Sequence, residues 1–260
     1  MTELTETFEI LGIRGGERLS KNDVVIKESS LTIFVNDKEL VTLLCSPDRQ
    51  KALAVGFLFS EGFLQSREEI ESLILNQSKG IVWVRLAKDF QIDENFIKGR
   101  TVTSGCARGI MFNRQRDFLP NPAMRSDLRI DAEAISRLMT SLQVASSLFE
   151  STGGIHSCAL GQGEEIILFR EDIGRHNAVD KIIGECLLNQ ITTADKIVLT
   201  SGRMSSEIVL KVARAGMPIL VSRTAPTSAA IKLADEFGLT MVGFARGKRM
   251  NVYTHDWRIN

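Results

Sequence analysis

The thiol most exposed to chemistry by its neighbours is Cys106. It stands in Thr101-Val102-Thr103-Ser104-Gly105-Cys106-Ala107-Arg108-Gly109, between two glycines and two positions from a guanidinium. A nearby cation favours thiolate over thiol and lowers a pKa that starts near about 8.5, and glycine on both sides permits the sulfur to swing between partners. Such a group suits nucleophilic attack or carriage of sulfur. Spacing alone leaves a packed structural thiol equally open. Cys45, Cys158 and Cys186 are expected at the end of a strand, inside a strand and on an apolar helical face, as small hydrophobes. The four cysteines contain no C-x-x-C pair, so neither a disulfide scaffold nor a zinc ribbon is indicated.

Two further concentrations of chemistry lie downstream. Thr152-Gly153-Gly154-Ile155-His156 sets a histidine at the start of a strand, and Glu171-Asp172-Ile173-Gly174-Arg175-His176-Asn177 sets acids, a cation, a histidine and an amide at the entry of a helix. Either histidine could do acid-base or hydrogen-bonding work near neutral pH. A satisfied structural hydrogen bond is the ordinary alternative for each. Asp172 and Asp180 have parallel ordinary roles as a helix-entry acid and a paired carboxylate.

The elements that must position these groups follow from periodicity and punctuation. Residues 24–27, 31–35 and 39–45 read as strands of a hairpin or meander, with Asn36-Asp37 as a turn. Ser46-Pro47-Asp48 reads as a helix start with Ser46 as N-cap, continued by the apolar run 53–58 to Gly62, and 81–86 reads as a further strand. Pro120 and Pro122 mark a linker, which places a domain boundary near residue 125, between residues 1–125 and 126–260. Beyond it, Ile135, Leu138, Leu142, Ala145 and Phe149 share a helical face that ends at Gly153-Gly154. Strands are then expected at 155–160, 165–170, 196–200, 218–222 and 239–244. Helices are expected around Val179 to Leu187, over 205–215 and over 226–237. This alternation predicts βαβ crossovers and a mixed, mostly parallel α/β sheet with helices on both faces, preceded by a smaller α+β domain.

In such sheets ligands collect beyond the carboxyl ends of parallel strands, where helix N-termini favour negative charge. Three successive strand ends have similar chemistry: Ser201-Gly202-Arg203-Met204-Ser205, then Ser222-Arg223-Thr224-Ala225-Pro226-Thr227, then Phe244-Ala245-Arg246-Gly247-Lys248-Arg249. Each offers a cation, and together they offer hydroxyls and glycine-permitted backbone approach, the components that hold a phosphate or pyrophosphate. Neither a G-x-G-x-x-G fingerprint nor a P-loop occurs, which argues against ordinary NAD-binding and ATP-hydrolysing classes.

With 260 residues, 43% hydrophobic and 25% charged, the chain can build a sizeable core. Thirty-two basic residues balance thirty-two acidic ones, so nothing general favours nucleic acid or an anionic membrane as partner, and any anion site must be local. No apolar run approaches a membrane span, and the polar, acidic first ten residues are unlike a signal peptide, so a cytoplasmic location is expected.

Taken together, Thr152 to His156, Glu171 to Lys181, Ser201-Gly202-Arg203, Ala225-Pro226-Thr227, Gly243 to Gly247 and the earlier Gly56-Phe57-Leu58-Phe59-Ser60-Glu61-Gly62 resemble the formate dehydrogenase accessory sulfurtransferase family. The resemblance implies a carrier that takes a sulfane sulfur from a cysteine desulfurase as a cysteine persulfide. It would pass that sulfur to the molybdenum bis(molybdopterin guanine dinucleotide) cofactor, its bound substrate, before insertion into formate dehydrogenase apoenzyme. It also implies a cytidine-deaminase-like sheet in residues 126–260, a homodimer and no intrinsic metal. By position Cys106 matches the persulfide cysteine, and Phe244, Ala245, Arg246, Gly247, Lys248 and Arg249 match the cofactor-binding stretch. Ser201, Gly202, Arg203, Ser222, Thr224, His156, Asp172, Arg175 and His176 complete the candidate cofactor site. Some members carry C-x-x-C at the thiol loop; here the second position is Gly109, so Cys106 would act alone or with a distant partner.

Two other readings stand beside this one. A zinc nucleobase deaminase needs H-x-E or C-x-E followed by P-C-x-x-C; His156-Ser157-Cys158 lacks the glutamate and the second half is absent. A non-catalytic escort that only holds the cofactor for formate dehydrogenase would leave Cys106 incidental.

Overall fold

The computed structural model describes residues 4–87, 101–102 and 126–260, with backbone alone at 101–102. Cys106 and the boundary expected near residue 125 lie outside the described residues. The chain opens with a two-stranded ribbon, β1 (Thr5–Arg14) and β2 (Glu17–Ile26), closed by Gly15-Gly16, both at positive φ as a two-residue turn of this hand requires. Of residues 24–27, expected as a short strand, 24–26 therefore end a strand far longer than the sequence suggests, and Lys27 lies outside it. Both faces of the ribbon meet solvent, so it carries no apolar alternation to read.

A five-stranded sheet follows in the order β5-β6-β3-β4-β7, formed by β3 (Ser29–Val35), β4 (Lys38–Cys45), β5 (Ile70–Asn76), β6 (Ile81–Leu86) and the short β7 (Thr101–Val102). Alternation in β3 puts Leu31, Ile33 and Val35 wholly inside. Helix α1 (Gln50–Ser60) covers that face. Its start differs from the sequence expectation: the helix begins after Arg49, itself left-handed at φ 50, and Ser46 caps nothing. The Ser46 hydroxyl is instead drawn into bonds with Asp48, Asp172 and Lys181, two of which come from the other half of the chain.

The second sheet has six strands in the order β13-β12-β11-β10-β8-β9: β8 (His156–Gln162), β9 (Glu165–Asp172), β10 (Ile197–Thr200), β11 (Ile219–Ser222), β12 (Thr240–Arg246) and β13 (Arg249–Thr254). The sheet is mixed. β10, β11 and β12 are parallel, while β8, β9 and β13 join antiparallel. On one face lies α2 (Ala132–Ala145), which buries Ile135, Leu138 and Leu142 against Ala159, Leu199 and Val221. On the other lie α4 (Arg175–Leu188), α5 (Ser206–Arg214) and α6 (Ser228–Glu236). The helix expected to run unbroken to Gly153 divides at Ser146 into α2 and α3 (Ser147–Thr152). Ser146 is pulled aside by bonds to Ser157 and Glu171. No helix among the described residues is long and apolar enough to cross a membrane.

The two sheets are joined through α1 and α4, which cross at Gly56 and Gly184. A Cβ at Gly56 would come 2.6 Å from the Asp180 carbonyl carbon, and one at Gly184 2.7 Å from that of Ala52. Only glycine allows backbones this close. The contact buries charge as well. Lys211 Nζ sits 2.7 Å from Asp180 Oδ2, Ser60 donates to Asp180 Oδ1 at 2.7 Å, and Lys181 Nζ reaches Asp172 at 2.9 Å and Asp48 at 2.7 Å.

Candidate functional site: a crevice at the strand ends

Beyond the carboxyl ends of β10 and β11 and the end of β12 lies a crevice of about 290 Å³, lined among others by Ser201, Arg223, Thr224 and Arg246. His156, Ser157 and the α2–α3 break at Ser146 close its other side. The loops are fastened to one another rather than to solvent. Ser222 Oγ donates to the Gly202 carbonyl at 2.6 Å, the Thr224 amide donates to Ser222 Oγ at 3.0 Å, and Gly202 N–H donates to Thr200 Oγ1 at 3.1 Å. Ser201 is clamped across the sheet, its N–H donating to Ser157 O and its Oγ accepting from Ser157 N, both at 2.9 Å. Arg246 Nε donates to the Arg223 carbonyl at 2.9 Å, which ties the third strand end to the second.

The candidate residues separate by what they touch. His156, Ser201, Thr224 and Arg246 line the crevice together. Ser222 is buried and serves the loops. Gly202 makes room for Arg175, whose Cβ would lie 2.9 Å from a Cβ at that position. Arg203 is exposed and, with Arg175 and His176, works against protonation of His156; burial is the larger cause, and the net effect holds the His156 pKa below its ordinary value. His156 is therefore a neutral ring among cations at pH 7.

His176 points elsewhere, with Nε2 3.0 Å from Glu207 Oε2 and 3.4 Å from Ser205 Oγ. Burial opposes the charge of Glu207, but the bond from His176 and its positive field outweigh it and bring the carboxyl pKa down. Asp172 is fully buried and occupied. Oδ2 accepts from the Ser46 amide and hydroxyl, both at 3.1 Å, and from Lys181; Oδ1 accepts from Gly174 N–H at 2.9 Å and Asn177 Nδ2 at 2.8 Å. It fixes the entry of α4 and docks β4 to it.

The stretch from Phe244 to Arg249 is the end of β12 and a tight return into β13. Phe244 is left-handed at φ 52 within a bulge, Ala245 is buried in the core, and Gly247 at φ 56 with Lys248 forms the two-residue turn before Arg249. Gly247, Lys248 and Arg249 are exposed beside Arg246.

Ser146, Ser157, Glu171 and Arg223 also belong to this place although none stands among the candidate cofactor ligands. Arg223 was visible within its strand-end loop. The serines carried no local signal, since Ser146 falls in a helical run and Ser157 inside a strand.

The three described cysteines are poor nucleophiles. Burial raises the thiol of Cys45 to about 11, with Asp172 adding to it, and that of Cys186 to about 12, while Cys158, wholly enclosed, is pushed up as well. Among the described residues no group of three or more His, Cys, Asp or Glu side chains is placed to hold a metal ion.

Comparison with known proteins agrees with this architecture. The FdhD/NarQ family profile matches residues 26–260. The sulfur carrier protein FdhD of Bacillus pumilus (strain SAFR-032) is 43% identical over 246 residues, which cover 95% of this chain and 94% of that one. The protein of the same name from Bacillus subtilis (strain 168) is 39% identical over 257 residues, 99% of this chain and 98% of its own. A crystal structure described as a formate dehydrogenase accessory protein from Desulfotalea psychrophila superposes with a TM-score of 0.82 at 29% identity, covering 99% of this chain and all of that one. By its sequence along nearly its whole length and by its fold, the chain belongs to the FdhD/NarQ family.

Proposed function

We propose that the protein is a sulfurtransferase of formate dehydrogenase maturation. Cys106 accepts sulfur from a cysteine desulfurase as a persulfide and delivers it to the molybdenum bis(molybdopterin guanine dinucleotide) substrate, one guanosine diphosphate arm of which occupies the strand-end crevice. The relatives, sulfur carrier proteins and a protein described as a formate dehydrogenase accessory protein, support the class of activity. Arg223 and Arg246, with the hydroxyls of Ser201 and Thr224, suit a diphosphate, and the volume suits one nucleotide rather than the whole cofactor.

One observation carries the link between thiol and crevice. β7 pairs in parallel with β4, Val102 opposite Leu43, so the chain leaves β7 at the end of the sheet where β4 leads into Ser46. There Leu44 O accepts from Asn177 and Ser46 bonds to Asp172, which pairs in the ladder with the crevice residue His156. Cys106 follows Val102 by four residues in the sequence and lies outside the described residues.

In the first step the Cys106 thiolate attacks the outer sulfur of the desulfurase persulfide. The donor S–S bond breaks, its cysteine leaves as thiolate, and Cys106 holds the sulfane sulfur. In the second step that outer sulfur passes to the metal of the substrate, which supplies the two electrons that make it a sulfido ligand, and Cys106 is released as thiolate. A reducing cytoplasm keeps such a lone thiol from being lost to disulfides.

Incubation with a desulfurase and cysteine, followed by intact-mass and peptide analysis, tests the reading. One added sulfur at Cys106, absent in Cys106→Ala, is expected. Sulfur on another residue, or full formate dehydrogenase activity in a strain carrying only Cys106→Ala, refutes it; the second result would favour an escort that merely holds the cofactor.

A further inference from the structure

The ribbon of β1 and β2 belongs to none of the three hydrophobic clusters and is exposed along most of its length. The end of β2 leans on the body, where Ile26 Cγ2 would lie 3.1 Å from a Cβ at Gly154. Among the described residues β1 pairs with β2 alone, so its outer edge presents a row of unpaired N–H and C=O groups along a strand of 10 residues. The usual guards of such an edge are missing: TETFEILGIR contains no Pro or Lys, and the ladder with β2 runs from Thr5 to Arg14 without a bulge. Apolar side chains stand in solvent, Phe8 at 48% exposure, Leu11 at 50% and Ile13 at 69%.

The edge has a definite pairing pattern. Gly15 at φ 60 and Gly16 at φ 91 close a two-residue turn, which makes Arg14 and Glu17 a hydrogen-bonded pair. From there the even-numbered residues of β1 turn their backbone groups toward β2, while Thr7, Glu9, Leu11 and Ile13 turn theirs outward. The even residues share one face, in the order Glu6, Phe8, Ile10, Gly12, Arg14. That order is self-complementary about Ile10. A second β1 laid antiparallel, with Ile10 opposite its own copy, sets Glu6 opposite Arg14 and Phe8 opposite Gly12, each twice by symmetry. These are non-hydrogen-bonded pairs, the class with the closer side chains, and between them Thr7 with Ile13 and Glu9 with Leu11 exchange the outward hydrogen bonds. Centring on Phe8 or Gly12 instead would set Ile10 against Glu6 or against Arg14.

We infer that β1 is a docking edge for a second copy of this chain: two ribbons join edge to edge, β1 antiparallel to β1 with Ile10 at the twofold axis, into one four-stranded sheet. Gly12 is the residue that the single chain leaves unexplained. Its φ is not positive, and a Cβ there would meet Lys21 Cε at 3.4 Å and Leu19 O at 3.5 Å, ordinary contacts. Glycine inside a strand weakens it and marks a place where something must approach closely; the Phe8 ring of the second copy is that group, covering the bare backbone. Glu6 and Arg14 lie eight residues apart on one extended strand, about 27 Å, so each can find the other only across the axis. The inference is independent of what the crevice holds.

Sedimentation equilibrium of the full chain over a range of concentrations tests it. The wild-type protein is expected to form a dimer that dissociates on dilution. Glu6→Arg and Arg14→Glu should each weaken it at least about tenfold, because either substitution turns two attractive pairs into two repulsive ones. The double variant Glu6→Arg/Arg14→Glu restores opposite charges and should recover most of the affinity, a rescue that a local role of either residue would not give. Ile10→Glu, which its own ribbon accommodates opposite Lys21, sets two carboxylates at the axis and should leave a monomer with unchanged circular dichroism. A wild-type protein that stays monomeric at every concentration overturns the inference. So does a dimer indifferent to both single charge variants and to Ile10→Glu, which would place the second copy on another surface. Single variants that weaken the dimer without rescue in the double variant overturn the register and the inference with it.

Discussion

Replacing Gly56 by alanine tests whether the α1–α4 crossing holds the two sheets together. The new Cβ would run into the Asp180 carbonyl oxygen and stand 2.6 Å from its carbon and 2.9 Å from Gly184 N, against a comfortable carbon separation of about 3.5 Å, so the helices must part by at least about 1 Å. Both clashing groups are backbone, with no side chain to swing aside. A gap of that size forfeits a quarter to a half of the dispersion attraction along the crossing, and overpacking of this kind costs about 3 kcal/mol. Alanine repays about 1 kcal/mol through helix propensity. The net loss of about 2 kcal/mol should lower Tm by roughly 4–8 °C in a chain of this size. Thermal unfolding followed by circular dichroism reads it directly. Propensity alone predicts the opposite sign, so an unchanged or raised Tm for Gly56→Ala would refute the reasoning. Gly184→Ala opens the same crossing, so the double variant should cost clearly less than the sum of the two; simple additivity would show that the glycines do not share one contact.

The buried ion pair beneath that crossing should behave as a unit. Asp180→Asn removes the nearer counter-charge of Lys211 and leaves it Glu61 at 3.6 Å, and is expected to cost about 3 kcal/mol in urea unfolding, whereas replacing both Asp180 and Lys211 with apolar residues of similar volume should cost much less; equal losses would count against it. Stability should also fall with rising alkalinity. Cys45 and Cys186 titrate higher in the folded chain, at about 11 and about 12, than the roughly 8.5 of a free thiol, so their contribution is whole below pH of about 8.5 and is lost as pH climbs through the folded values. Burial works against the charge of Lys211, but Asp180 and Glu61 outweigh it and raise its pKa, so its share begins to disappear only above about pH 10.4. A urea midpoint that stayed level from pH 8 to 11 would contradict both assignments. In the native protein at neutral pH, iodoacetamide should leave Cys45, Cys158 and Cys186 unmodified and react with all of them after denaturation; prompt native labelling of any of the three would show that its burial is misjudged.

Local pattern reaches some of this molecule and stops at identifiable places. Alternation and turn residues are enough to locate β3, β4, β6 and the crossovers from β10 to β12, because each buries one face or both and its periodicity records that. They miss the long β1–β2 ribbon, the largely solvated β5, and β13. The ribbon is solvated on both sides, and β13 doubles back from a turn that reads like a continued cationic loop. Arg223 and Arg246, after β11 and β12, are legible as neighbours because parallel strands must end at one edge of the sheet; Arg203, after β10, stands exposed outside the crevice lining.

What residue order could not decide is which polar groups are already spoken for. Asp172 reads as a site residue, yet its partner Ser46 lies 126 positions away along the chain and meets it only because α1 and α4 cross. The same crossing explains why Gly56, Asp180 and Lys181 stand inside motifs that look chemical: close backbone approach and buried charge need those residue types, and only the folded chain supplies what they approach. Conversely, Ser146 and Ser157 look unremarkable in sequence and join Glu171 in one hydrogen-bonded set once a helix break and two antiparallel strands bring the three within 2.6–3.2 Å. Periodicity encodes burial, which is a property of one element; the direction of a hydrogen bond is a property of two, and it exists only after the elements have met.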